Sequence, residues 1–341
     1  FGMLGEPPDA GPHVRWCGMG RSERGPYPNS GRYESARSVG VSEGNFADRL
    51  LEAVEARRSL VVVGLDPDYE RIPPAIREAH PRWSYGSEGE MKAACFDEFL
   101  TGLLDCLADE AVAVKPQIAY FEALGAAGYE SYERVVGSAR AKGYLVIADV
   151  KRGDIGSTAE AYAHAHLDLA GADAVTVNPY FGTDGLEPFF RRAREGGKGV
   201  FVLVKTSNPS SAELQDLELG SGETLFERVA ALVCAWGRGS VGSHGYSSVG
   251  AVVGGTHPSQ GEALRRVMPG VPFLVPGYGA QGAEAGDLAG LFDAQGAGAV
   301  VNSARAILYA YEKRPGTAWQ DSARSEARDM KAALWRAAGR G

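Results

Sequence analysis

The stretch YLVIADVKRGDIGSTA, residues 144–159, decides how this chain folds. Its opening run, Tyr144 to Ala148, is apolar without alternation, so both faces of the strand need cover, as in a parallel sheet. The run then turns to charge, at Asp149 and Lys151 with Asp154 just beyond, and helical text begins at once. Strand, charged strand end and helix in that order make one βα unit.

The same unit recurs on both sides of it. Apolar runs stand at LVVVGLD (60–66), AVAVKPQ (111–117), AVTVNPY (174–180), GVFVLVKT (199–206), VGAVVGG (249–255), PFLVPG (272–277) and AGAVVNSA (297–304). Amphipathic stretches such as 90–109, 120–141, 156–170 and 223–236 fall between them. Eight such units predict a (β/α)8 TIM barrel, a single α/β domain over residues 44–338. An open doubly wound sheet is the alternative, but regular units without a composition break favour closure. NFADRLLEAVEARR (45–58) is expected to close the bottom of the barrel, and 318–338 to pack outside it. Residues 1–43, crowded with Gly, Pro, Ser and Arg, are expected to be a disordered or non-native extension.

Composition narrows the function. The 341 residues are 44% hydrophobic and 23% charged, with 35 Lys plus Arg against 43 Asp plus Glu for a net charge of −8. That balance argues against a nucleic-acid or membrane-surface partner. Cys17, Cys95, Cys106 and Cys234 show no metal or disulfide spacing, which fits a reducing compartment. No apolar run approaches the roughly 18 residues of a membrane span, and no signal-peptide pattern is present. A cytoplasmic protein is expected.

Every predicted strand ends in a polar group. These are Asp66, Lys115, Asp149 with Lys151, Asn178, Lys205 to Ser207, Thr256, the loop PGYGAQG (276–282), and Asn302 with Ser303 and Arg305. In a barrel these ends share one face, where active sites sit. Period-two alternation puts Asp149 and Lys151 on one side of their strand. Buried there, they must neutralise each other, with Lys115 and Asp154 as further partners. Gly277, Gly279 and Gly282 with Arg305 suit a phosphate site after the last two strands. His164 and His166 are two apart, so they do not form an i, i+4 metal pair. The loop after strand one, GLDPDYE (64–70), lacks the glycines of a dinucleotide fingerprint. Tyr120, Phe121, Tyr129 and Tyr132 read as helix packing.

These motifs together resemble the orotidine 5′-phosphate decarboxylase family, in its longer bacterial subgroup, over roughly residues 45–312. The DxKxxDIxxT signature stands as Asp149, Lys151, Asp154, Ile155 and Thr158. Lys115 lies in VKPQIAYFE (114–122), Asp66 in GLDP (64–67), and the PGxGAQG loop is followed by Arg305. The resemblance implies decarboxylation of orotidine 5′-monophosphate to uridine 5′-monophosphate without metal or organic cofactor. It implies a homodimer with shared sites, in which Lys115, Asp149, Lys151 and the partner's Asp154 alternate in charge and Lys151 protonates C6. Asp66 and Lys115 would hold the ribose, with Thr158 contributing across the dimer interface, Ser207 the pyrimidine, and Gln281 and Arg305 the phosphate, beside Gly277 and Gly279. Two other readings stand beside it: a Mg-dependent sugar-phosphate decarboxylase or aldolase of the same superfamily, and a catalytically silent phosphate-binding barrel.

Overall fold

The eight apolar runs become eight parallel strands: β1 (Val61–Leu65), β2 (Ala113–Pro116), β3 (Leu145–Arg152), β4 (Ala174–Val177), β5 (Gly199–Lys205), β6 (Val249–Val253), β7 (Phe273–Val275) and β8 (Ala299–Ser303). They pair in chain order, and β1 returns to pair with β8 through Val61–Val301, Val62–Asn302 and Val63–Ser303. The sheet is therefore the closed barrel expected from the repeat, and the open-sheet alternative falls. This computed structural model describes residues 44–279 and 282–341. The expected extension, residues 1–43, lies outside the described residues, as does Gln281.

Eight longer helices among the described residues surround the strands. They are α1 (Phe46–Arg57), α2 (Glu88–Cys106), α3 (Ala126–Ala141), α4 (Gly156–Ala163), α5 (Gly182–Glu195), α6 (Leu225–Gly237), α7 (Pro258–Val267) and α8 (Trp319–Ala337). The end of the crossover from β3 to β4, His164–Leu169, widens into a π-helix. There His164 bonds Asp168 at 3.0 Å while His166 is buried against Tyr132, so the two histidines do face apart. Of the aromatics expected to pack, Phe121 and Tyr132 are buried, but Tyr120 stays 40% exposed.

The bottom of the barrel is plugged by α1, as its sequence suggests. Asn45 caps the helix by accepting from the backbone N–H of Ala47 at 2.8 Å, and its amide donates to the Ser240 carbonyl at 2.8 Å. Phe46, completely buried, meets Phe201 edge-on with ring centroids 5.9 Å apart. Gly199 makes room for it, since a Cβ there would lie 2.3 Å from the Phe46 ring. Loss of that ring would cost about 3–5 kcal/mol. At the other side α8 seals β1 and α2, with the Trp319 ring 5.1 Å from that of Phe99. With α1 filling the barrel at the strand N-termini, the barrel's own interior opens at the end that the strand C-termini surround.

Candidate active site

At that end a cavity of about 400 Å³ is lined by Asp66, Lys115, Gln117, Asp149, Lys151, Thr176, Ser207 and Asn302, with Leu203, Val252, Leu274 and Pro276 as an apolar side. Asp149 is its electrostatic centre, only 5% exposed. One carboxylate oxygen, Oδ2, accepts from Lys115 Nζ at 2.5 Å and from Gln117 Nε2 at 3.1 Å. The other, Oδ1, accepts from Lys151 Nζ at 2.5 Å and from Thr176 Oγ1 at 2.9 Å. Four donors on a buried carboxylate offset the desolvation that a lone charge would suffer.

The proton equilibria follow. Burial alone would raise the Asp149 pKa, but the Lys115 and Lys151 ammonium groups overcome it and hold the carboxyl well below its ordinary range. Burial would likewise lower Lys115, yet Asp149 and Asp66 keep it charged and push its pKa up. Asp66 goes the opposite way. Its burial outweighs the pull of Lys115, its pKa rises, and its Oδ1 is buried without a hydrogen-bond partner. Asn302 Oδ1, also facing this cavity, is likewise unpartnered. Orphaned acceptors on a cavity wall are groups left for a ligand to satisfy.

Lys151 reaches the cluster by a route that period two does not describe. The β3–β4 ladder shifts between Ala148 and Arg152, and Lys151 sits at φ +45°, a left-handed conformation uncommon outside glycine. Thr176 holds it there. Its Oγ1 accepts from the N–H groups of both Val150 and Lys151 at 3.0 Å while donating to Asp149, so every hydrogen-bonding capacity of the hydroxyl is used. The ammonium of Lys151, on a side chain 45% exposed, is thus aimed at the cavity from a fixed base.

Ser207 is presented by a loop that is tied down. Lys205, completely buried, pairs with Asp216 at 2.5 Å. Gln215 accepts from the Thr206 N–H at 2.9 Å and donates to its hydroxyl at 2.8 Å, and Thr256 Oγ1 donates to the Ser207 carbonyl at 3.2 Å. After β7 the chain turns tightly at Gly277 (φ +108°), Gly279 (+70°) and Gly282 (+97°). Arg305, exposed, begins a single helical turn after β8 and lies close enough to act electrostatically on Asp66. Gln281 falls outside the described residues.

Two expected members do not join within one chain. Asp154 is half-buried on the loop after β3, where its Oδ1 accepts from the Ile155 N–H at 2.8 Å, and it makes no ion pair with Lys151 or Lys115. Thr158 is exposed on α4 and also lies off the cavity wall. Asp154, a candidate partner for these lysines, therefore does not pair with them within one chain. The loop turns away immediately after Lys151, and Gln117 and Thr176 take the remaining positions on Asp149. Neither of those two was singled out from sequence. Gln117 had a signal, two residues beyond Lys115 on the same side of its strand; Thr176 had one too, as the lone hydroxyl in the run AVTV.

Comparison with known proteins places the whole barrel beside one family. The family model described as "Orotidine 5'-phosphate decarboxylase / HUMPS family" matches residues 59–320. The chain is 42% identical over 302 residues to the orotidine 5′-phosphate decarboxylase of Rhodopirellula baltica, covering 85% of this chain and 98% of that one. It is 40% identical over 288 residues to that of Clostridium perfringens, covering 84% and 96%. Among solved structures, the OMP decarboxylase of Leishmania donovani superposes with a TM-score of 0.69 at 32% identity, covering 86% of this chain and 99% of that one.

Proposed function

This chain belongs to the orotidine 5′-phosphate decarboxylase family, and from that premise we propose how its residues carry the reaction. The enzyme converts orotidine 5′-monophosphate to uridine 5′-monophosphate and carbon dioxide, the last step of de novo pyrimidine synthesis. The bond from C6 to the carboxyl carbon breaks, and its electron pair stays on C6. That carbanion has no obvious delocalising group, so its charge must be met by an electrostatic field and quenched by an acid.

The observation that carries this reading is the shared carboxylate, with Lys151 Nζ held 2.5 Å from Asp149 Oδ1 and facing the cavity. The ion pair sets the Lys151 ammonium between that carboxylate and the cavity. Lys151 gives its proton to C6 as carbon dioxide leaves. Asp149, beside the substrate carboxylate, raises the ground state. Lys115 anchors Asp149 and, with Asp66, binds the ribose; the buried unpartnered oxygen of Asp66 suits a ribose hydroxyl donor. Ser207 meets the pyrimidine edge. Arg305, Gln281 and the turns at Gly277 and Gly279 hold the phosphate, whose binding energy is available in the transition state. No metal or organic cofactor enters this scheme.

Asp154 and Thr158 act in the site of a second copy, making the enzyme a homodimer. The apolar surface around Asp154 supports this: Ile155 is 59% and Tyr180 83% exposed, and Phe181 packs against Gly153. The barrel, residues 44–338, is the catalytic unit, with residues 1–43 an extension to it. Cys95, Cys106 and Cys234 are free thiols, in keeping with a cytoplasmic enzyme. Among the described residues, no helix is long and apolar enough to cross a membrane.

Purified protein incubated with orotidine 5′-monophosphate and followed by ultraviolet absorbance tests the reading. Conversion that persists in EDTA supports it. No conversion, or conversion restored only by Mg²⁺, would favour the sugar-phosphate rival.

A further inference from the structure

The opposite end of the barrel carries a second concavity, about 530 Å³, that the decarboxylation scheme leaves unused. Its wall comes from the end of α1, the entry to β2 and one face of α8. Arg57, Arg58, Arg328, Lys331 and Arg336 line it, with Glu110 as its single carboxylate. Five cations line it against one anion, a local reversal in a chain of net charge −8, and of these Arg57 is held by the Ala108 and Gly143 carbonyls and Lys331 also by that of Asp109.

The charges are only partly satisfied. Glu110, 8% exposed, accepts from Arg328 Nε at 3.2 Å and pairs with Lys331 at 3.4 Å. This fixes two cations at the floor while the Arg328 side chain remains 64% exposed. Arg58 and Arg336 are both exposed and make no ion pair among the described residues. Trp335, in the same wall, has a buried indole N–H with no acceptor.

A backbone observation points the same way. Arg58 follows the last turn of α1 at φ +49°. That is the left-handed position which helix ends ordinarily give to glycine. An arginine kept there against its backbone preference places a guanidinium at the rim of the groove.

We propose that this groove binds an oligophosphate: two or more linked phosphates, free or as the tail of a nucleoside di- or triphosphate. Guanidinium groups suit such a ligand because each presents paired donors to two oxygens. On α8 the lining residues Arg328, Lys331, Trp335 and Arg336 follow helical spacing, and Arg328 to Arg336 span about 12 Å along the axis. That length exceeds one phosphate and follows a chain of them. The Trp335 ring already carries Arg58 at 5.8 Å and Arg340 at 4.9 Å, so recognition rests on the phosphates and not on a stacked base.

Isothermal titration calorimetry of the full chain with inorganic tripolyphosphate and with uridine triphosphate tests this. Saturating uridine monophosphate occupies the catalytic cavity throughout. Both probes should bind once and alike, and the double variant Arg58→Gln/Arg336→Gln should weaken both by about tenfold or more. That variant should retain wild-type decarboxylation and melting, which establishes that it is folded. Two outcomes overturn the proposal: no binding to the wild type with the catalytic cavity so occupied, or binding unchanged in the double variant. A triphosphate that binds where tripolyphosphate does not would overturn recognition by phosphate alone.

Discussion

Thr176 and Lys151 share one oxygen. Both donate to Asp149 Oδ1, at 2.9 Å and 2.5 Å, while the Thr176 hydroxyl also accepts the Lys151 backbone N–H. The threonine therefore fixes the lysine at its base and braces the carboxylate that receives its tip.

Replacing that hydroxyl should misplace the proton donor. Thr176→Val leaves two backbone N–H groups and a carboxylate oxygen short of a partner, costing about 1–3 kcal/mol of stability. We expect kcat to fall by roughly a hundredfold through misalignment, with a much smaller change in KM. Thr176→Ser, which restores the oxygen, should recover most of the rate. Steady-state kinetics on both variants check this, and a valine variant within about threefold of wild type contradicts the bracing role.

Lys151→Ala and Arg305→Ala should separate chemistry from binding. In the role proposed for it, the lysine acts on an atom that changes in the transition state, so its loss should lower kcat by about 10³-fold or more. Asp149 keeps Lys115, Gln117 and Thr176, so the variant should stay folded. The arginine, as proposed, meets a phosphate common to substrate and product, so KM should rise by about 10–100-fold. Kinetics with circular dichroism decide it. A kcat for Lys151→Ala within about tenfold of wild type, or roughly 1.4 kcal/mol, removes the lysine from the proton-transfer step.

Asp66 should make the empty enzyme less stable at neutral pH. Burial raises its folded pKa, so its favourable contribution is present below its unfolded pKa and lost as pH rises through the folded one. Asp66→Asn should accordingly melt higher than wild type at pH 7, with the gain shrinking toward zero below about pH 4. Its activity should fall. Asp149 has the reverse sign: its lowered pKa contributes stability above the ordinary carboxylate range, lost only as pH falls through the lowered value. Melting curves across pH for wild type and Asp66→Asn test the assignment, and an asparagine variant that melts lower at pH 7 sinks it.

Mixed dimers test the proposed shared site. Lys151→Ala and Asp154→Ala chains, each inactive alone, should regain part of the activity when co-assembled, because one of the two sites then holds both wild-type groups. Heterodimers shown by mass spectrometry but silent in the absorbance assay would assign Asp154 to its own chain.

The barrel was legible because its evidence is repetitive: each unbroken run such as VVVGL or AVTV needs cover on both faces, and eight of them leave closure as the economical answer. Asp66, Lys115, Asp149, Lys151 and Ser207 were legible as strand ends, and the structure gathers them around one cavity. Thr176 was not, since a threonine within a strand is ordinary β chemistry until its neighbour's backbone turns to φ +45°. Gln117 escaped for a similar reason, as its value depends on the carboxylate that β3 brings beside it. Local text reports what a strand end contains; which oxygen receives which donor depends on registers between strands.

The pairing of β1 with β8 also has a consequence on the ribosome. Until residues 299–303 emerge, Val61–Val63 lack the neighbour they will keep, and every nascent intermediate exposes two open strand edges. The first strand made waits for the last. A stalled or truncated product ending before β8 is then a sheet fragment with two open edges, a species prone to aggregate.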